Sequence, residues 1–258
     1  MNRPRMSVEI DAEHGGRWTS LRGRTGREWL WRRHAPERTT VRPGDPFVDA
    51  GGLEECLPTI GGPPDHGDAW SRPWTPDHEG LGVVGEGYRL HRATMVDDAG
   101  VRASYRLSAA PGWRFIWAAH ALIDVSTEAR VIAPDGHPIF VNTEQGSTHT
   151  RWPDYVGTDL SRLGEPDGTA LMIVLPGLPE FTVVDGTDRL TMRLRVEGQP
   201  CGVAMWRNLG GWPPDGPYRS IGIEPMLGRC PTLALAEDGE TAVVPVGGVV
   251  EWSLTIEG

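Results

Sequence analysis

Turn-forming residues interrupt this chain about every 8 to 15 positions, a spacing that leaves room for strands but not for long helices. DDAG (97–100), APG (110–112), APDG (133–136), EPDG (165–168), VDGTD (184–188) and EDGE (237–240) supply the Gly, Pro and Asp that tight turns require. Between such signals lie short apolar runs: TALMIVLP (169–176), RLTMRLRV (189–196), CGVAMW (201–206), YRSIGIE (218–224) and VVEWSLTI (249–256). In RLTMRLRV, Leu190, Met192, Leu194 and Val196 fall on one face while Arg193 and Arg195 fall on the other, the period of a half-buried strand. Antiparallel hairpins in an all-β sandwich or barrel are therefore expected. No fixed-period repeat and no compositional break divides the 258 residues, so one domain over 1–258 is expected. One short helical turn is expected over Tyr155–Leu163, with Thr158 and Ser161 as caps.

Charge and composition narrow the partners. The net charge is −10 and every basic side chain other than His is an arginine. Without lysine there is no Schiff-base nucleophile and no P-loop lysine, and an acidic surface disfavours nucleic acid. No segment has the ~18–20 apolar residues of a membrane span, and MNRPRMSVEIDAE has no apolar signal core. Cys56, Cys201 and Cys230 are scattered, without a CxxC pair. Reduced thiols and a cytoplasmic location are the expectation.

Several polar residues stand where an apolar strand would not place them without reason. In WRFIWAAHALIDV (113–125), counting by two puts His120 on a face with Ile116, Ala118 and Leu122, and leaves Phe115, Trp117, Ala119 and Ala121 on the other. His120 reads either as a core histidine bonded to a neighbour or as an acid with a tuned pKa. Glu224 ends an apolar strand just before Pro225. It reads either as an exposed or ion-paired strand end or as a buried carboxylate kept for chemistry.

The segment GGPPDHGDAWSRPW (61–74) is too rich in Trp, His and Asp for a spacer and reads as an ordered functional loop. His66, Asp65, Trp70, Arg72 and Trp74 are its candidates. The indoles either cover the core or stack on a pyranose. The guanidinium either pairs with a nearby Asp or clamps a substituent. GSTHTRWPD (146–154), with Arg151 and Asp154, and AMWRNLGGWPPDGPY (204–218), with Trp206, Asn208 and Trp212, are candidate cleft rims. No metal-ligand spacing occurs among the eight histidines, and no cofactor motif is present.

In order, GGRWTSLRGRTGREWLW (15–31), GGLEECLPT (51–59), PDHGDAWSRPW (64–74), WAAHAL (117–122), IGIEPMLG (221–228) and EWSLTI (251–256) resemble the shorter bacterial branches of the aldose 1-epimerase, or galactose mutarotase-like, family. The resemblance runs from about Gly15 to the end. It implies a β-supersandwich of large antiparallel sheets with a carbohydrate cleft and no cofactor. It implies that Glu224 is the base at the anomeric hydroxyl, that His120 is the acid at the ring oxygen, and that His66 is a second cleft histidine. Ring opening, rotation about C1–C2 and closure would then exchange anomers. Acid and base are expected on either side of a gap that a hexose bridges.

The chain departs from the family in being short and in having WAAHALIDV where longer members carry an NHxYxNL form. The aspartate that holds sugar hydroxyls in those members has Asp154 and Asp215 as its candidates. The expected partner is a small carbohydrate, with the protein a monomer or homodimer. Two other readings stay open: an epimerase for anionic sugars, with Arg72 and Arg151 as the clamp, and a binding module without catalysis.

Overall fold

The computed structural model describes residues 5–143 and 146–258. Among them there is no α-helix; Pro36–Thr39, Ala69–Ser71 and Leu233–Leu235 form 3₁₀ turns and the regular structure is otherwise strand. One sheet has eleven strands. From edge to edge these are Ser7–Asp11, Arg17–Arg22, Leu53–Cys56, Trp117–Leu122, Arg219–Leu227, Cys201–Leu209, Ala170–Pro176, Pro138–Thr143, Gly146–Arg151, Asp154–Tyr155 and Thr158–Asp159. A second sheet has eight: Arg130–Ile132, Glu180–Asp185, Asp188–Val196, Val249–Glu257, Val101–Ala109, Tyr88–Val96, Leu81–Gly85 and Thr75–Pro76. The named strand pairings are antiparallel.

The alternation seen in the sequence decides which side of each strand meets the other sheet. In Asp188–Val196 the buried residues are Leu190, Met192 and Leu194. They join Trp252, Leu254 and Ile256 from the neighbouring strand and Ile221 and Ile223 from the large sheet in one inter-sheet core. Burial of this much aliphatic and aromatic surface, at roughly 25 cal/mol per Å2, is the main force holding the sheets together. The large sheet has a second apolar layer on its opposite face. Cys56, Ile60, Ile116, Ala118, Val174, Ala204 and Met226 pack there, with Phe140, Met172 and Leu233 against them. That face is covered by loops rather than by a sheet, and it carries the cavity described below.

Tyr155–Leu163 is not helical. Asp154–Tyr155 and Thr158–Asp159 pair as a hairpin, with Tyr155 opposite Thr158. The two turn residues, Val156 and Gly157, have φ of 51° and 78°. Paired positive φ values are those of a two-residue hairpin turn whose twist suits its strands. Strand pairing overrode the capping signals of Thr158 and Ser161. The cysteines are free thiols, with Cys56 buried. No helix among the described residues is long and apolar enough to cross a membrane.

Candidate functional site

Leu53–Cys56, Trp117–Leu122 and Arg219–Leu227 lie side by side in the middle of the large sheet. Their register sets Glu54 opposite His120 and Ala204 opposite Glu224. His120, Leu122, Gly222, Glu224 and Trp206 share the loop-covered face by the alternation of adjacent antiparallel strands. A cavity of about 860 Å3 opens there. His66, His120, Asp49, Asp65, Trp206 and Trp212 are among the residues that line it.

His120 and Glu224 are in direct contact, with Nδ1 of the imidazole 2.9 Å from Oε1 of the carboxylate. This corrects the expectation that a hexose separates them. Glu224 is 0% exposed and is absent from the cavity wall, whereas His120 reaches it at 5% exposure. The contact has the distance of an ion pair but not the angles of an aligned hydrogen bond. Among the described residues neither carboxylate oxygen has a well-directed donor. A buried carboxylate without a well-directed donor is costly, which makes the His120 contact its main compensation. Burial by itself would lower the His120 pKa. The Glu224 carboxylate outweighs it, with Asp49 and Glu54 adding to the effect, so the imidazole titrates above its ordinary value.

Gly222 makes this contact possible. A Cβ there would sit 3.1 Å from Glu224 Oε1, 3.1 Å from Trp206 Cβ and 3.3 Å from Leu122 Cδ2. Gly222→Ala is therefore expected to destabilise the protein by about 1–3 kcal/mol through overpacking. By pushing the carboxylate aside it should also lower the pH at which His120 titrates. Denaturant unfolding and histidine NMR titration read the two effects, and an unchanged His120 titration would contradict this account of the pair.

His66 arrives from the Asp65–His66–Gly67 turn. Its φ is 59°, and Gly67 follows at 72°. Any Cβ at Gly67 would fall 2.0 Å from the Leu57 carbonyl oxygen, so only glycine fits. Backbone bonds from His66 to Ile60, Gly67 to Pro64 and Asp68 to Leu57 close the turn. Asp65 Oδ1 lies 3.0 Å from His66 Nδ1. Partial burial opposes the Asp65 charge, but the His66 ring more than compensates, so this carboxyl titrates below its usual range. The His66 and His120 rings stand 4.9 Å apart, edge to face. Phe47, which the sequence did not single out, stacks 3.7 Å from His66 and sits edge-on to His120 at 5.6 Å.

The other candidates divide. Asp65 and Trp206 line the cavity. Trp70 and Trp74 do not: both are buried, with their indole N–H groups donating to the carbonyls of Gly67 and Ala69. Arg38 and Arg92 lie over their faces. The two indoles cover the core, so the loop's tryptophans are structural, whereas its histidine lines the cavity. Arg72 pairs with Asp68 through Nη2 at 2.6 Å, and Arg151 donates to the Gly136 carbonyl. Neither guanidinium is in the cavity wall. Asp154 belongs to a short strand near the edge of the sheet, and exposed Asp215 lies in a turn; both are outside the wall. Asp49, which the sequence did not single out, lines the cavity together with Asp65 and Glu37, and accepts from Tyr218 Oη and from the Gly51 N–H.

Beneath the site lie two ion pairs. Arg38 grips Glu54 through Nε and Nη2 at 3.0 and 2.9 Å, and donates to the Trp70 carbonyl, tying the His66 loop to the Leu53–Cys56 strand that pairs with the His120 strand. Glu55 points to the inter-sheet side and takes Arg92, Tyr105 and Trp117 as donors. The signal for both pairs was in GGLEEC: adjacent carboxylates in an apolar strand, one for each face. Among the described residues no cluster of His, Cys, Asp and Glu has the size to hold a metal ion.

The architecture matches solved structures over essentially the whole chain. A candidate aldose 1-epimerase from Escherichia coli K12 superposes with a TM-score of 0.71 at 13% identity, over 100% of this chain and 97% of that one. The Slr1438 protein from Synechocystis sp. PCC 6803 gives 0.69 at 15%, over 99% and 96%. A galactose mutarotase-like protein from Lactobacillus casei ATCC 334 gives 0.62 at 15%, over 100% and 98%. No family model and no curated protein matches the sequence. The fold is galactose mutarotase-like, a supersandwich of two large antiparallel sheets.

Proposed function

We propose that the protein is an aldose 1-epimerase that exchanges the anomers of a reducing sugar by acid–base ring opening. The observation that carries this reading is the 2.9 Å contact of His120 with a buried glutamate at the floor of a cavity that also holds His66. The two oxygens that exchange protons in ring opening, the anomeric hydroxyl and the ring oxygen, are bonded to one carbon. Their catalytic partners must therefore be neighbours rather than face each other across the ring, and two imidazoles 4.9 Å apart meet that need.

In this reading His120, held as imidazolium by Glu224, donates its Nε2 proton to the ring oxygen as the C1–O5 bond breaks. His66, with Nδ1 engaged by Asp65, accepts the anomeric hydroxyl proton at Nε2 as the C1 carbonyl forms. Rotation about C1–C2 and reversal of both transfers close the other anomer. Glu224 acts through His120 as a positioning residue, because its oxygens do not reach the cavity. This replaces the role of direct base that the resemblance implies. The wall offers Arg33 as a cation against Glu37, Asp49 and Asp65, an electrostatic balance that suits a neutral sugar.

Polarimetry or NMR of freshly dissolved α-glucose and α-galactose tests the activity; no acceleration of exchange of either, or of any other reducing sugar tried, would sink it. The pH profile tests the roles. His120 must be protonated to donate, and Glu224 raises the pH at which it loses that proton. On the alkaline side the rate should therefore fall as pH rises past this elevated value, while the need for a neutral His66 sets a separate acid limb. Glu224→Gln should move the alkaline limb to lower pH, with much of the rate surviving at pH values where His120 is still protonated and His66 is neutral. Equal loss at every pH would instead make Glu224 the direct base.

A further inference from the structure

Next to the acid–base floor the cavity continues along the strands that carry it. Glu224, Gly222 and Ser220 pair in turn with Ala204, Trp206 and Asn208. From Glu224 to Ser220 is four strand residues, or ~13 Å at the rise of a β-strand. Trp206 stands partway along this line, with Met172 opposite it on the next strand. The loop that leaves Asn208 then brings Trp212 into the same wall.

That loop is built around one side chain. Asn208 is fully buried. Its Oδ1 accepts from the N–H groups of Gly211 at 2.9 Å and Trp212 at 3.1 Å. Its Nδ2 donates to the carbonyls of Trp212 and Tyr218, each at 2.9 Å, and lies 3.2 Å from Ser220 Oγ. The backbone of Trp212 is thus held on both its N–H and its C=O, while the indole stays 48% exposed. A large apolar ring whose backbone is fixed and which is left open is a ready surface for a ligand, since the loop's share of the ordering entropy is already met before binding. Its amphipathic indole suits the C–H face of a sugar. The cavity, at about 860 Å3, lies toward the upper end of the ~300–1,000 Å3 range of small-molecule sites, and one pyranose leaves most of it empty.

We propose that Trp206 and Trp212 form a second sugar subsite, so that the substrate is the reducing end of a disaccharide or longer oligosaccharide. This rests on the reading of the cavity as a sugar site. The ring being opened sits at His120 and His66, and the next residue of the glycan stacks on the indoles.

Calorimetry or tryptophan fluorescence with glucose, maltose and cellobiose tests the subsite independently of turnover. At least one disaccharide is expected to bind roughly tenfold more tightly than glucose. In Trp212→Ala the ratio of disaccharide to glucose affinity should collapse toward one. Trp212→Phe should keep part of it, and Asn208→Ala, which frees the loop, should lower it. A wild-type ratio near one, or a ratio that survives Trp212→Ala, overturns the subsite. If glucose anomers exchange faster with protein while the ratio is one, only the subsite fails. If disaccharides bind tightly and no anomer exchange is accelerated, the epimerase reading fails and the subsite stands. If no sugar binds, both fail.

Discussion

Replacing His120 by Ala is expected to cut the acceleration of anomer exchange by about 10²- to 10⁴-fold, the usual contribution of a positioned proton-transfer group. The same substitution leaves the Glu224 carboxylate buried without its partner. Removing one member of a buried ion pair typically costs ~3–5 kcal/mol, so part of the loss would be unfolding unless rates are expressed per folded molecule. His120→Gln separates the two effects, because it fills most of the space and keeps a polar neighbour for Glu224 yet cannot carry an imidazolium. It should remain folded in denaturant titration and still lose nearly all activity by polarimetry. His120→Gln at wild-type rate would remove His120 from the chemistry. His66→Ala should give a loss of similar size with a smaller stability cost, since Asp65 beside it is more than half exposed.

The second large effect lies away from the cavity. Arg92→Ala is expected to destabilise the protein by ~3–5 kcal/mol, a fall in Tm on the order of 10 °C. Arg92 and Glu55 are both wholly buried, with Nη1 2.5 Å from Oε1, and the pair joins the eight-stranded sheet to the eleven-stranded one. Arg92 also donates to the Gly16 carbonyl, and its guanidinium lies 4.8 Å from the Trp74 ring. With the arginine gone, Glu55 keeps Tyr105 and Trp117 as donors but has no counter-charge. Arg92→Met combined with Glu55→Gln should therefore cost less than Arg92→Ala alone, because no charge is then left in the core. Thermal unfolding decides it. A fall in Tm of only a degree or two for Arg92→Ala would mean that the pair is not what joins the sheets.

Residues whose role follows from local periodicity were placed correctly. Counting by two put His120 with Ala118 and Leu122 and opposite Trp117 and Ala119, and the structure has Ala118 on the cavity side and Trp117 and Ala119 in the inter-sheet core. The turn signals gave an all-strand chain. The glycine after His66 was legible as part of a motif, though its reason, the 2.0 Å approach to Leu57, was not. Residues whose role depends on which long-range neighbour they meet were misread. Trp70 and Trp74 have the composition of a sugar site, but Arg38 and Arg92 claim them first, while Arg72 takes the local alternative, a pair with Asp68 four residues before it. Phe47 and Asp49 lie in a segment with no periodic pattern, and nothing near them announced a cavity, whereas Tyr218 closes the 204–218 segment that reads as a cleft rim.

The chain by itself determined that it would form many short antiparallel strands, which faces of them would be apolar, and that a histidine and a glutamate would be held in apolar strands. These are consequences of turn chemistry and side-chain alternation, both short-range. Only the tertiary structure decided that the imidazole and carboxylate touch, that the carboxylate lies sealed beneath the ring, and which aromatics face the cavity. Those outcomes depend on strand order and register between segments about a hundred residues apart, set by how the whole core packs, and no local pattern encodes them.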